Sequence, residues 1–167
     1  GHISGGHYNP AVTLSVLVRH RITVRDACMY WIVQFGAGLL AAVVVRGTVD
    51  PARPRKTVTM TLTGHALVAA FVVELLFTFA LCYVVLNVAT SKSNQDNSYF
   101  GLAIGFTVLA GAFAVGAISG GAFNPSVTVG AALMGMFAWS TLWVYLVAQV
   151  IAGAAAGVTF RVLNPDD

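Results

Sequence analysis

The segment SGGHYNPAVT at residues 4–13 recurs as SGGAFNPSVT at residues 119–128, and this pair of boxes indicates how the chain is organised. In each box an asparagine, Asn9 or Asn124, is followed by proline, and an apolar stretch begins there. Proline suits the first turn of a helix, because its missing N–H would have no hydrogen-bond partner at that position. The sequence therefore predicts that a helix starts directly after each of the two asparagines.

The similarity between the boxes is part of a longer internal repeat. Residues 1–46 and 116–161 align without gaps at a constant offset of 115. The matching residues include polar ones, for example Gln34 with Gln149, and not only the Gly, Ala and Val that are common in both stretches. Chance similarity of composition does not explain such matches, so we interpret the two stretches as copies of one structural unit.

The composition is typical of a membrane protein, in which much of the surface contacts lipid. Hydrophobic residues make up 57% of the chain and charged residues 9%, whereas a soluble domain carries roughly 25% charged residues. The net charge of +3 comes from scattered Lys and Arg, without the basic stripe that nucleic-acid binding needs. Cys28 and Cys82 lie within apolar runs, which argues against a disulfide scaffold or a metal site. No catalytic constellation or cofactor motif can be assembled, so neither an enzyme nor a cofactor is expected.

Four segments are long and apolar enough to cross a bilayer core, which needs about 20 residues per helix. These predicted spans are residues 26–45, 65–89, 99–117 and 138–160. The apolar stretches after the two Asn-Pro steps, residues 10–18 and 125–137, are only about half as long as a span. Such short segments are tolerated in a membrane only where protein buries them or they line a wet cavity. They are therefore predicted to be re-entrant half-helices.

The order of these segments inverts the repeat. Three spans separate the two boxes, an odd number, so the boxes enter the membrane from opposite faces. Inverted repeats with interrupted helices place a functional site near the middle of the bilayer. Two spans, residues 65–89 and 99–117, precede the second box, and their counterparts would lie before Gly1. We therefore expect that two spans of the complete bundle are missing from this chain.

The two boxes resemble the paired Asn-Pro-Ala boxes of the aquaporin, or major intrinsic protein, family, and the resemblance covers the whole chain. In the second box Ser126 replaces the usual alanine. The resemblance implies an all-α membrane protein, an aquaporin-like inverted-repeat helical bundle with two re-entrant half-helices. The pore residues that it implies are Asn9, Pro10, Ala11, Asn124, Pro125 and Ser126.

The resemblance also implies how the chain is organised. Residues 1–167 would form one partial channel domain, an integral multi-pass protein that contacts the lipid bilayer and assembles as a homotetramer. We expect it in a bacterial cell membrane. The first box and its half-helix would occupy residues 1–25, and the second box and its half-helix residues 118–137. The four transmembrane helices would be residues 26–45, 65–89, 99–117 and 138–160.

Physical chemistry gives the boxes a role that does not depend on the resemblance. The first turn of a helix leaves N–H groups unpaired and carries about half a positive charge. Two such ends that meet inside the membrane disfavour cations and protons. Asn9 and Asn124 would each offer an amide donor to a passing oxygen, although capping of the half-helices alone would also explain them. The carbonyls of the extended stretches would form a ladder of acceptors: Gly5, Gly6, His7, Gly120 and Ala122.

Glu74 is the only formal charge within its predicted span, and a carboxylate inside a membrane usually has a buried partner or a function. The resemblance implies that Glu74 braces a re-entrant loop by accepting hydrogen bonds from backbone N–H groups. The alternative is a proton relay, for which His7 is the only titratable candidate nearby. His7 matches the histidine of the family's first box and is interpreted as a residue that positions the loop.

Three positions of the family's selectivity filter can be located in this chain. Val127 stands where most members have arginine, Ala112 where water-selective members have histidine, and Gly121 occupies a third position. All three residues are small or apolar, so the constriction is expected to be wider and less polar than that of a strict water channel. A fourth filter residue would belong to a missing span.

The resulting hypothesis is a passive channel for water and small neutral solutes. Three alternatives stay open: a facilitator of glycerol, urea or ammonia with a minor role for water, a weakly conducting structural homologue, and a coupled secondary transporter. Glycerol-conducting members carry Arg-Asp after the second box, where this chain has Val127 and Thr128. Independently, the spacing of Gly101 with Gly105 and of Gly153 with Gly157 predicts close helix packing.

Overall fold

The computed structural model of the chain describes residues 3–49 and 60–167, which are predominantly helical. Helix α2 continues into a single π-helical turn, Val45–Val49, and short 3₁₀ turns precede α4 and α6. The six α-helices are α1 Pro10–Val18, α2 Val24–Val44, α3 His65–Ala89, α4 Phe100–Ser119, α5 Pro125–Leu133 and α6 Leu142–Leu163.

Four helical segments of the described chain are long and apolar enough to cross a membrane. They are Val24–Val49, His65–Ala89, Phe100–Ser119 and Trp139–Leu163. The segments begin within two residues of the predicted spans and end at most four residues after them. The helical bundle expected from the sequence is thus present, and the protein is an integral membrane protein with several spans.

The two half-helices end in the same way, at equivalent positions of the repeat. After α1, His20 adopts a left-handed conformation with φ 64°, and Arg21 N donates to Val16 O at 3.1 Å. After α5, Gly135 has φ 79°, and Met136 N donates to Ala131 O at 2.9 Å. This pattern is the Schellman motif, which terminates a helix. It ends α5 at Leu133, before the predicted boundary at residue 137.

Each half-helix packs against a full span of the other copy of the repeat. Half-helix α1 lies along α6, and half-helix α5 lies along α2. Helix α3 packs along both α6 and α4 and also contacts α1, and α6 contacts α3 and both half-helices. The two half-helices therefore approach each other in the interior, with their N-termini facing.

Glycine allows the half-helices to approach the spans this closely. A Cβ added to Gly153 would lie 2.5 Å from Ala11 O, and one added to Gly38 would lie 2.7 Å from Ser126 O. Gly157 likewise contacts α1 through Ser15 O, at 2.8 Å from an added Cβ. The packing predicted for Gly153 and Gly157 is thus confirmed. Within the described chain, a Cβ on Gly101 or Gly105 would meet nothing within 4 Å, so close packing at this pair stays a prediction.

Candidate functional site

The site is built where the two half-helices begin. Asn9 caps α1 from an extended conformation, and its Oδ1 accepts a hydrogen bond from Ala11 N at 2.9 Å. Asn124 caps α5 in the same manner, and its Oδ1 accepts from Ser126 N at 3.0 Å. Capping of this kind pairs one of the N–H groups that the first turn of a helix leaves free.

The same two side chains join the boxes to each other. Asn9 Nδ2 donates to Phe123 O at 2.8 Å, and Asn124 Nδ2 donates to Tyr8 O at 3.0 Å. Each asparagine is thus bound to the carbonyl that precedes the other asparagine. An amide NH₂ group carries two hydrogens. Each asparagine can therefore cap its helix, bind the opposite loop and keep one hydrogen for a solute.

We expect Asn124→Asp to lower the stability of the folded protein by about 1–2 kcal/mol, because a donated bond is lost and the Tyr8 carbonyl then faces a carboxylate. The aspartate keeps an oxygen that can cap α5, so the effect isolates the bond between the boxes. Thermal unfolding of the purified protein in detergent measures it. Asn164→Asp is the control, since it removes a similar bond, to Phe160 O, at the C-terminal end of α6 and away from the boxes. Equal midpoints for the two variants would contradict the proposed importance of the cross-link.

A cavity of about 630 Å³ runs beside the two boxes. The boxes supply one wall: Gly5, Gly6, His7, Tyr8, Asn9, Gly121, Ala122, Phe123 and Asn124. The rest of the wall is mostly apolar and includes Val12, Leu81, Val85, Ile104, Val108 and Val127. None of the described residues that line this cavity is Asp, Glu, Lys or Arg. The cavity thus offers hydrogen-bonding groups on one side and an uncharged apolar surface on the other.

Several predicted pore residues lie behind this cavity and not along it. Pro10, Ala11 and Pro125 are buried in the first turns of the half-helices. Ser126 faces a separate cavity of about 730 Å³ beside α2, and its Oγ donates to Asn124 Oδ1 at 2.9 Å. Gly120, at φ 87°, ends α4 against the ring of Phe137.

The three predicted filter positions lie at or beside this cavity. Gly121 and Val127 line it. Ala112 is exposed on α4 beside Gly121, because a Cβ added to Gly121 would lie 3.5 Å from Ala112 Cα. Ala112, which was assigned from its position in the sequence 12 residues before Asn124, therefore lies next to the loop of the second box.

Glu74, on α3, is fully buried against the second box and accepts four hydrogen bonds. Two come from the loop backbone, from Ala122 N at 2.9 Å and Phe123 N at 2.8 Å. The others come from Ser119 Oγ at 2.7 Å and Gln149 Nε2 at 2.9 Å. A carboxylate has about four acceptor positions, and all are used here. None of the four donors is an acidic or basic group. None of them can therefore pass a proton on from Glu74, as a proton relay would require.

Sequence reasoning assigned no role to the polar residues of the spans that support the loops. Gln149 holds Glu74 and also donates to Thr128 Oγ1 at 3.0 Å. At the equivalent position Gln34 Nε2 donates to His7 O and to Thr13 Oγ1, both at 2.9 Å. The signal that could have found these residues was present, because both glutamines recur at the repeat offset inside apolar spans.

His7 lies at the junction of the two cavities, whose linings it shares. Its ring stacks on Tyr30 with a centroid distance of 4.5 Å. Its carbonyl accepts the bond from Gln34, while Nδ1 is buried without a hydrogen-bond partner in the described chain. The bond from Gln34 fixes the backbone of the first box, and the imidazole adds the ring contact with Tyr30, so the role of His7 as a positioning residue stays a prediction.

Comparison with known proteins places this arrangement in a family. The sequence profile of the family described as major intrinsic protein matches residues 1–160. The chain is 37% identical over 163 residues to "Probable aquaporin TIP1-1" of Oryza sativa subsp. japonica, which covers 97% of this chain and 64% of the relative. It is 35% identical over 171 residues to "Glycerol uptake facilitator protein-like 6" of Lactiplantibacillus plantarum, covering 100% of this chain and 78% of the relative.

A third relative, "Aquaporin NIP1-4" of Oryza sativa subsp. japonica, is 38% identical over 161 residues, covering 94% of this chain and 56% of the relative. The chain therefore spans less than two thirds of the length of the rice relatives that it matches. The profile match and these identities agree with the inverted repeat, the half-helices and the four spans. The chain belongs to the major intrinsic protein family.

Proposed function

We propose that the protein is a passive channel for water and small neutral solutes, which pass along the cavity beside the two boxes. The observation that carries the proposal is the reciprocal pair of hydrogen bonds from Asn9 to Phe123 O and from Asn124 to Tyr8 O. These bonds hold two helix N-termini together at one point of a cavity that has hydrogen-bonding groups along one wall and a mostly apolar lining elsewhere.

The chemistry of the cavity supports neutral solutes over ions. Carbonyl oxygens of the boxes accept hydrogen bonds, and the asparagine amides donate them, so a passing water exchanges one set of partners for another. The two N-termini carry partial positive charge, which repels cations. The described lining residues include no carboxylate that could offset this repulsion.

The predicted filter supports solutes larger than water. Val127 is half exposed in the cavity and offers no hydrogen-bond donor from its side chain. Gly121 and Ala112 are both small. The names of the relatives include both aquaporins and a glycerol uptake facilitator, which fits a channel that conducts water and a small polyol. A homotetramer and a location in a bacterial cell membrane stay predictions.

The test is reconstitution of the full-length protein in liposomes, followed by stopped-flow light scattering after an osmotic shift. Shrinkage in sucrose reports water, and reswelling in urea or glycerol reports the solutes. We expect all three rates to exceed those of protein-free liposomes. Water flow with exclusion of urea and glycerol would contradict the wide filter. Absence of every flux would favour a structural homologue, and uptake that needs an ion gradient would favour a coupled transporter.

Val127→Arg tests the filter directly. A long side chain with five N–H donors would occupy the space beside Gly121, so urea and glycerol fluxes should fall by on the order of tenfold, equivalent to about 1.4 kcal/mol of added barrier. Water flux should change by less than about twofold, because a single water is smaller than either solute. Val127→Leu adds volume without charge and serves as the control. Unchanged urea and glycerol fluxes in the arginine variant would show that Val127 does not border the narrow part of the pore.

A further inference from the structure

A separate cavity of about 710 Å³ lies at the end of the bundle where α1 and α6 have their C-termini. The turn after α1 supplies Arg19, His20 and Arg21, and the last turns of α6 supply Val158 and Arg161. Because α6 is long and apolar enough to span the bilayer, its last turn lies near the level of the lipid headgroups. This cavity is distinct from the one beside the boxes, with which it shares no lining residue.

The cavity carries an excess of positive charge, since three arginines and one aspartate line it. Arg19 is already engaged: it is buried, pairs with Asp167, and lies over the ring of Phe160 at 4.3 Å from the centroid. Arg21 is 40% exposed and reaches the same aspartate at 3.2 Å. Arg161 is exposed, and among the described residues its side chain bonds to Val18 O alone, at 3.5 Å. Two guanidinium groups of this cavity thus remain accessible.

An apolar track leads from the cavity along the outside of α6. It consists of four exposed residues, Val162, Val158, Ile151 and Val147. Their spacings of four, seven and four residues place them on one face of the helix. The track therefore runs from the charged rim towards the middle of the span, as a lipid chain would.

We propose that this cavity binds the phosphate headgroup of an anionic phospholipid, held by Arg21 and Arg161, with an acyl chain lying on the apolar track. Guanidinium groups bind phosphate oxygens through paired N–H donors, which makes arginine well suited to this role. Anionic lipids and basic side chains attract each other at the membrane surface. The proposal needs only that α6 spans the membrane, and it stands or falls independently of conduction through the boxes.

Asp167 limits the affinity of this cavity for a phosphate group. Burial raises its pKa, but hydrogen bonds from Ser91 and Lys92 N and the adjacent Arg19 outweigh that effect and bring the pKa to about 2. The carboxylate is therefore charged at neutral pH and competes with phosphate for Arg21. Removing its charge should strengthen lipid binding, which is the opposite of what loss of a merely structural contact would do.

The experiment is a titration of the purified full-length protein in neutral detergent with dioleoylphosphatidylglycerol or dioleoylphosphatidylcholine, followed by native mass spectrometry. We expect phosphatidylglycerol to bind about tenfold or more tightly than phosphatidylcholine. Arg21→Gln and Arg161→Gln should each weaken its binding by about fivefold, and Asp167→Asn should strengthen it by a similar factor. Arg25→Gln is the matched control, since Arg25 is exposed in the first turn of α2 but does not line the cavity.

Two further arms identify the ligand. Inorganic phosphate at millimolar concentration should leave lipid binding unchanged, and Val158→Ser should weaken it, because the acyl chain contributes. Equal binding of the two lipids, or an Arg25→Gln variant as weak as Arg21→Gln, would overturn the proposal. Complete displacement by inorganic phosphate would show a free-anion site instead of a lipid site. Unfolding midpoints measured without lipid show whether each variant is folded. If an arginine variant does not fold, the tighter lipid binding expected for Asp167→Asn still tests the proposal.

Discussion

Glu74→Ala is expected to unfold the second box and abolish conduction. The alanine would remove an acceptor from four donors, two of them the backbone N–H groups of Ala122 and Phe123, and of the four Gln149 Nε2 keeps its bond to Thr128 Oγ1. Each unpaired buried donor costs about 1–3 kcal/mol, whereas the whole folded state of a typical protein is stable by about 5–15 kcal/mol. The sum approaches that margin, so we expect loss of folded protein during purification as well as loss of water flux.

Glu74→Gln keeps the shape of the side chain and one acceptor oxygen, so it should fold with reduced stability. Its NH₂ group would meet the N–H of Ala122 or Phe123, and the loop would then shift. Asp96→Asn makes the equivalent chemical change at an exposed turn with φ 61°, a conformation that asparagine tolerates. Unfolding midpoints and liposome water flux are the measurements. A Glu74→Gln protein as stable as Asp96→Asn would show that the loop does not need the carboxylate.

The second large effect is expected for Gly153→Ala. The added Cβ would lie 2.5 Å from Ala11 O, a backbone atom that cannot move without α1. Overpacking of this kind costs about 1–3 kcal/mol. Asn9 lies two residues before Ala11, so a shift of α1 would also displace the cap and its bond to Phe123 O. We therefore expect both a lower unfolding midpoint and a lower water flux.

Gly36→Ala provides the matched control for this substitution. Gly36 lies within α2, and in the described chain an added Cβ would meet nothing within 4 Å. Alanine is favoured over glycine inside a helix by roughly 0.5–1 kcal/mol, so the midpoint should stay the same or rise. If Gly153→Ala and Gly36→Ala behaved alike, the close approach of α6 to α1 would not contribute to stability.

Much of the architecture could be predicted from local patterns. The length of the apolar runs predicted the spans, and the Asn-Pro steps predicted where both half-helices begin. The end of α5 differed from the prediction although its signal is local: α5 ends at Leu133 because Gly135 closes a Schellman motif. For Gly101 and Gly105 the pattern was present, but which face of α4 meets another helix depends on how α4 is rotated in the bundle.

The inverted repeat, the membrane location and the presence of one carboxylate inside a span could be read from the amino-acid sequence, because hydropathy, spacing and charge are properties of short segments. Which groups meet became known from the folded arrangement of the helices. It joined Asn9 to Phe123 O and Asn124 to Tyr8 O, and it turned Ser126 away from the cavity beside the boxes. These contacts link residues more than a hundred positions apart. Their geometry depends on the relative rotation and distance of whole helices, which no local pattern encodes.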